Sequence, residues 1–60
     1  MYIIKVRYTD TSYAFLDRSG RLTKSRDEAY RFRCEDDANV SANMLELYYN
    51  ETVMTTVIRA

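Results

Sequence analysis

Apolar and polar residues alternate through the first eight positions. Tyr2, Ile4, Val6 and Tyr8 fall on one side of an extended chain, and Ile3, Lys5 and Arg7 on the other. A period of two is the signature of a β-strand. The polar run Thr9-Asp10-Thr11-Ser12 suits a hairpin loop, and Tyr13 to Leu16 supplies the returning strand. Asp17-Arg18-Ser19-Gly20 opens on Asp and closes on the only glycine in the chain, the composition of a β-turn. Arg21-Leu22-Thr23 then predicts a short third strand.

The period lengthens after residue 25. Ser25 with Glu28 forms a capping-box pattern, which predicts a helical turn starting near Arg26 that carries Ala29 and Tyr30 inward. Phe32 would anchor the connection to the core. A second helix start follows at Cys34-Glu35-Asp36-Asp37, where three acids complement the positive end of a helix dipole. Ala38, Ala42, Leu45 and Tyr49 recur at helical spacing, and Val40, Met44 and Leu47 are expected to widen that stripe. Asn50 suits a left-handed helix end. Thr52 to Ile58, rich in Val, Thr and Ile, predicts the last strand, placed near a sheet edge. The expected fold is α+β in a single domain, residues 1–60. A small antiparallel sheet of three to four strands lies under one helical layer, in the order β-β-(β)-α-α-β.

Composition narrows what can hold such a fold together. A 60-residue chain has a thin core. One cysteine, Cys34, allows no internal disulfide, and the absence of histidine excludes ordinary Cys/His zinc sites. Good packing, a second copy or a partner remains. No stretch is long and apolar enough for a signal peptide or membrane span, so a cytoplasmic protein is expected. No cofactor site is expected either.

Charge is zero overall but uneven. Residues 1–33 carry eight Lys/Arg against four acids, a net +4; residues 34–60 carry Arg59 against five acids, a net −4. The two halves either complement each other, within a chain or between copies, or mark a basic binding face. Arg21, Lys24, Arg26, Arg31 and Arg33, interleaved with Tyr30 and Phe32, have the composition of a nucleic-acid patch. The balancing acids and the demands of the core argue against that use.

Candidate chemistry is sparse. Without histidine there is no ready general base, and no glycine-rich loop cradles phosphate. Glu35, Asp36 and Asp37 are adjacent helical residues that point in different directions and converge badly on one ligand. Cys34 at a helix start would have a lowered pKa, but no base stands beside it, and a semi-buried thiol at an N-cap is the plainer reading. The protein is therefore expected to bind rather than catalyse. Six tyrosines and seven arginines are unusual in so short a chain, and both types are enriched at protein interfaces. The sheet also reads as apolar on both faces: Val53 and Val57 point one way, Met54 and Ile58 the other. One helical layer covers a single face. The surplus, Ile3, Tyr13, Tyr48, Tyr49, Met54 and Ile58, is the expected surface for a partner or a homodimer.

The chain resembles short proteins encoded by tailed bacteriophages and prophages. The shared features are an N-terminal hairpin, a turn with Gly20, Ala29-x-x-Phe32, an acidic helix start leading to Ala38, and a final Val/Ile-rich strand, together spanning about residues 2–58. Cys34, where Ser or Thr is common, and the Tyr48-Tyr49 pair depart from that pattern. The resemblance implies an early phage product, often a compact homodimer, that binds and inhibits a host factor or an antiviral defence protein. It implies no catalytic residue.

Overall fold

The computed structural model describes residues Met1–Ala60. Its elements are β1 (Tyr2–Arg7), β2 (Tyr13–Leu16), β3 (Leu22–Thr23), a single 3-10 turn (Arg26–Glu28), α1 (Glu35–Tyr48) and β4 (Met54–Arg59). The strands form one antiparallel sheet in the order β3-β2-β1-β4, with α1 laid across one face. This is the expected α+β class with one difference: there is one helix, not two.

The first helical segment fails for local reasons. Ser25 makes no capping bond through its side chain, so the reciprocal box never forms. The Arg26–Glu28 turn ends at Ala29, whose backbone is extended. The chain then runs beside β1. Phe32 and Tyr2 exchange two backbone hydrogen bonds, at 2.8 and 2.7 Å, and the Tyr30 N–H donates to the Leu16 carbonyl at 2.9 Å. Residues 29–32 thus patch the sheet where β2 has already ended. Backbone bonds to Tyr2 and Leu16 satisfy these groups without the further turns of a helix too short to nucleate itself.

β1 is the centre of the molecule. The three largest fully enclosed side chains, Ile3, Ile4 and Val6, all lie on it. Ile4 and Val6 face α1 and pack with Ala42 and Val53, flanked by Leu16, Leu22, Phe32, Leu45, Tyr49 and Val57. Ile3 faces away and packs with Phe15 and Ala29, flanked by Ile58. The alternation read from β1 and β4 therefore holds: Ile4 pairs with Val57 on one face, and Ile3 with Ile58 on the other.

α1 contacts β4 and β1. Its closest residues are small, Ala38 and Ala42, both buried. Val40, Met44 and Leu47 do not widen the inward stripe as expected. They are 62, 63 and 61% exposed. On a wheel of 3.6 residues per turn, Ala38, Ala42, Leu45 and Tyr49 mark one direction and Val40, Met44, Leu47 and Tyr48 another. A helix resting on a sheet through alanines can turn only one of these stripes inward.

The two helix ends differ: the N-cap makes no side-chain capping bond, and the C-terminal end is closed by the backbone. Cys34 is the N-cap. At the other end the Asn50 N–H reaches the Leu47 carbonyl at 3.0 Å and the Glu51 N–H reaches the Glu46 carbonyl at 2.7 Å, a Schellman pair. Asn50 has φ 54°, as its composition suggested, and Glu51 follows with φ 61°. Glu46 then locks the helix to the sheet edge. Its Oε2 accepts from the Thr55 N–H at 3.2 Å and from the Thr55 hydroxyl. This occupies a backbone donor on an edge strand that would otherwise be open to pairing.

The β2–β3 turn is organised by Asp17. Its Oδ1 accepts from the Ser19 N–H at 2.9 Å, the Ser19 hydroxyl at 2.8 Å and the Arg21 N–H at 2.9 Å. Gly20 closes the turn at φ 88°, a conformation that L side chains rarely adopt.

Two predictions follow from packing and from the turn. Leu45→Ala removes a side chain packed on the core and should cost roughly 2 kcal/mol, while Leu47→Ala should stay within about 0.5 kcal/mol. Urea unfolding of both variants checks this, and equal costs would show the helix register to be wrong. Hydrogen bonds from Ser19 and from the Arg21 backbone hold the Asp17 carboxyl below its ordinary value of 3.8. Its contribution to stability is therefore present above that value and is lost as pH falls through the lower folded value. A carboxyl NMR titration with a midpoint at or above 3.8 would contradict the turn geometry.

Candidate functional site

Two surfaces remain after the core is filled, one on each side of the sheet. The first lies on the side away from α1. β1 and β2 set Arg7 opposite Tyr13, and β1 and β4 set Arg7 opposite Met54 and Lys5 opposite Thr56. Side chains on one face of paired strands are neighbours, so Lys5, Arg7, Tyr13, Met54 and Thr56 form one patch. A shallow cleft runs between Lys5, Arg7, Met54, Thr56 and Ile58.

The patch is held by cation–aromatic contacts. Lys5 Nζ sits 4.2 Å from the centre of the Tyr13 ring. Lys24 reaches in from beyond β3, where its Nζ donates to the Tyr13 carbonyl at 2.7 Å and lies 5.1 Å from the Tyr8 ring centre. Tyr13 in turn meets Phe15 edge to face at 5.8 Å. Tyr8 and Tyr13 are about two-fifths exposed and Met54 two-thirds. Lys5 and Lys24 are thus set against Tyr8 and Tyr13, with Arg7 beside Tyr13 and Met54 in the strand register and Asp10 of the β1–β2 loop at the rim. Each such contact contributes roughly 0.5–1 kcal/mol at an exposed site.

The second surface lies on the helix side. α1 sits over β4 and β1, so Leu16 and Leu22 at the β2–β3 end have no helix above them. A groove of about 820 Å³ opens there, walled by those two leucines, by Val40, Met44, Leu47 and Tyr48 of α1, and by Gly20 and Arg21 of the β2–β3 turn.

The expected partner residues divide between these places. Tyr13 and Met54 lie in the cationic patch. Tyr48, 78% exposed, belongs to the helix groove. Ile3, Ile58 and Tyr49 are placed differently from the expectation. Ile3 is 1% exposed under Ala29, Ile58 packs against it, and Tyr49 packs into the helix-side core. Ala29, at the start of the 29–32 segment, covers this part of the second sheet face, which the alternation by itself leaves open. Val40, Met44 and Leu47 were missed as surface, although their own helical spacing was a signal.

The basic segment is dispersed. Arg21 borders the helix groove, Lys24 joins the cationic patch and Arg26 sits on the 3-10 turn. Arg31 and Arg33 flank Phe32 beside Tyr2, at the start of β1, whereas Tyr13 pairs with its end. The cations that do gather, Lys5 and Arg7 with Lys24, come mostly from β1.

Cys34 is exposed rather than semi-buried, and its side chain makes no capping bond. Glu35, Asp36 and Asp37 occupy the first turn of α1. Neither they nor other groups form a cluster of three or more metal-ligating side chains. No helix is long and apolar enough to cross a membrane.

No protein-family model matches the chain, and no curated protein or solved structure is similar enough to count as a match.

Cys34→Ser should preserve the fold and raise stability by up to about 1 kcal/mol, because a serine oxygen caps a helix where the thiol makes no such bond. Thermal unfolding of the variant checks this. Destabilisation would mean the thiol packs in a way that its exposure contradicts.

Proposed function

We propose that this chain is a small non-catalytic binding protein that acts by stoichiometric protein–protein association. It would serve as a phage-encoded inhibitor or modulator of a host or antiviral-defence protein, working in the host cytoplasm. The observation that carries the reading is the Lys5–Arg7–Lys24 patch with Tyr8, Tyr13 and Met54. Tyr, Arg and Met are the residue types enriched at the centres of protein interfaces. Here the two lysines are already aligned along tyrosine rings, so less side-chain entropy is lost on binding. The patch carries three cations against one rim acid, and its complement is an acidic protein surface. The phage origin rests on the sequence resemblance alone.

The rival reading is a nucleic-acid accessory protein, since the same cations and tyrosines also suit a phosphate backbone and bases. Affinity capture from host lysate separates the two when it is run with the native chain and with Lys5→Glu and Tyr13→Ala. Tyr13 is exposed and Lys5 half-buried, and neither belongs to a core cluster, so both substitutions should leave the fold intact. A single acidic protein retained by the native chain, lost with both variants and still bound at moderately raised salt supports the proposal. Retention of nucleic acid, with affinity falling steeply and linearly in log–log salt plots, would replace it with the rival.

A further inference from the structure

The cationic patch adjoins an open sheet edge. β4 is the last strand of the sheet and has β1 on one side only. In an antiparallel ladder, alternate residues turn both backbone groups toward the same neighbour. Two hydrogen bonds fix the phase here. The Ala60 N–H donates inward to the Met1 carbonyl at 2.7 Å, and the Thr55 N–H donates outward to Glu46 at 3.2 Å. Met54, Thr56 and Ile58 therefore pair with Arg7, Lys5 and Ile3, while Thr55, Val57 and Arg59 present their backbones to the outer edge. Glu46 occupies one donor of that edge, at Thr55. The backbone groups of Val57 and Arg59 stay open, and an extended chain can add there as a further strand.

The face beside this edge selects what adds. A strand paired with β4 sets side chains next to Thr56 and Ile58 on the side away from α1, and next to Val57 and Arg59 on the helix side. A cleft of about 200 Å³ is walled by Met54, Thr56 and Ile58 of β4 and by Lys5 and Arg7 of β1. Two cations line it and no acid does; Asp10 borders a separate hollow beside Arg7 and Met54. Thr56 is small and exposed, so a carboxylate entering from the edge crosses it to reach the exposed Arg7, with Lys5 behind it along the Tyr13 ring. Strands stand about 4.8 Å apart, so the added strand lies about 10 Å from β1, within the combined reach of a glutamate and an arginine side chain. Ile58 is half-buried and favours an apolar neighbour. On the helix side Asn39, Asn43 and Glu46 share one stripe of α1, and Glu46 sets that stripe at this edge, which suits uncharged polar neighbours. A second copy brings no complement, because the only charge on its own β4 is Arg59.

We propose that an acidic segment of the partner protein binds as an extended strand along β4, antiparallel like every other pair in the sheet. A carboxylate side chain opposite Thr56 enters the Lys5–Arg7 cleft, and an apolar side chain packs opposite Ile58. This rests on the acidic-partner reading above and gives that partner a shape. Backbone bonds to Val57 and Arg59 supply sequence-independent affinity, and the cleft supplies the choice of side chain.

The test uses the intact protein and a blocked peptide with threonine at alternate positions and valine and glutamate at the positions between. Binding is followed by NMR. Hydrogen exchange at the Val57 and Arg59 amides should slow by about tenfold or more at saturation. N-methylating the threonines removes the pairing donors and should weaken binding by about tenfold, the worth of one or two backbone hydrogen bonds. Lysine in place of glutamate should weaken it as much. So should Thr56→Glu, an exposed substitution that fills the cleft with the protein's own carboxylate. Equal binding of the N-methylated peptide, or binding that leaves Val57 and Arg59 unprotected, overturns strand addition while the acidic-partner reading stands. Equal binding of the lysine peptide with both amides protected overturns the charge preference, and the acidic-partner reading with it. No binding at millimolar peptide overturns the proposal. Protection of the two amides that grows with protein concentration and needs no peptide overturns it in favour of a second copy at β4.

Discussion

The whole arrangement depends on the seat of α1 against β1 and β4. Ala38 and Ala42 bring the helix backbone close to Ile4, Val6 and Val53. Close approach maximises dispersion contacts in a core that has few large residues to contribute. It also fixes the helix off-centre. A single helix is about 10 Å wide with its side chains, and four strands span nearly twice that. Two strands are therefore covered and the β2–β3 end is not. The groove over Leu16 and Leu22, and the outward turn of Met44, follow from that one contact.

The opposite side of the sheet is solved without a second helix. Residues 29–32 fold back along the start of β1 and close Ile3, Phe15 and Ala29 away from water. This leaves only the end of β1 near Arg7 open, and there the chain uses cations and tyrosines instead of bulk apolar groups. Lys5 and Lys24 lie along aromatic rings, so their methylene stems shield the sheet while their charges remain in solvent. The two sides differ in kind: one surface is apolar and continuous with the core, the other is wet and positively charged.

Stability in so small a protein rests on ends and edges as much as on the core. The Schellman closure after Tyr49, the Glu46 carboxylate on the Thr55 edge donor and the Asp17 turn each satisfy backbone groups that burial alone would leave unpaired. Together they keep α1, β4 and the β2–β3 turn in register.

Much of this was legible along the chain because it is local. Strand alternation in β1, the hairpin loop, the Asp17–Gly20 turn, the acidic start of α1 and the left-handed Asn50 are each decided by neighbours a few residues apart. The Ser25 capping pattern misled because a helix this short cannot outcompete strand pairing with Tyr2, and that pairing joins residues 30 positions apart. The surface was harder still. The sequence alone determined that α1 carries the Ala38–Tyr49 apolar stripe and that β1 is apolar on both sides. It did not determine that Val40, Met44 and Leu47 turn outward instead of widening that stripe, or which part of the second face is covered. Those outcomes belong to tertiary structure, because they depend on how closely two alanines let a helix approach, and on where the connector from the 3-10 turn comes to rest.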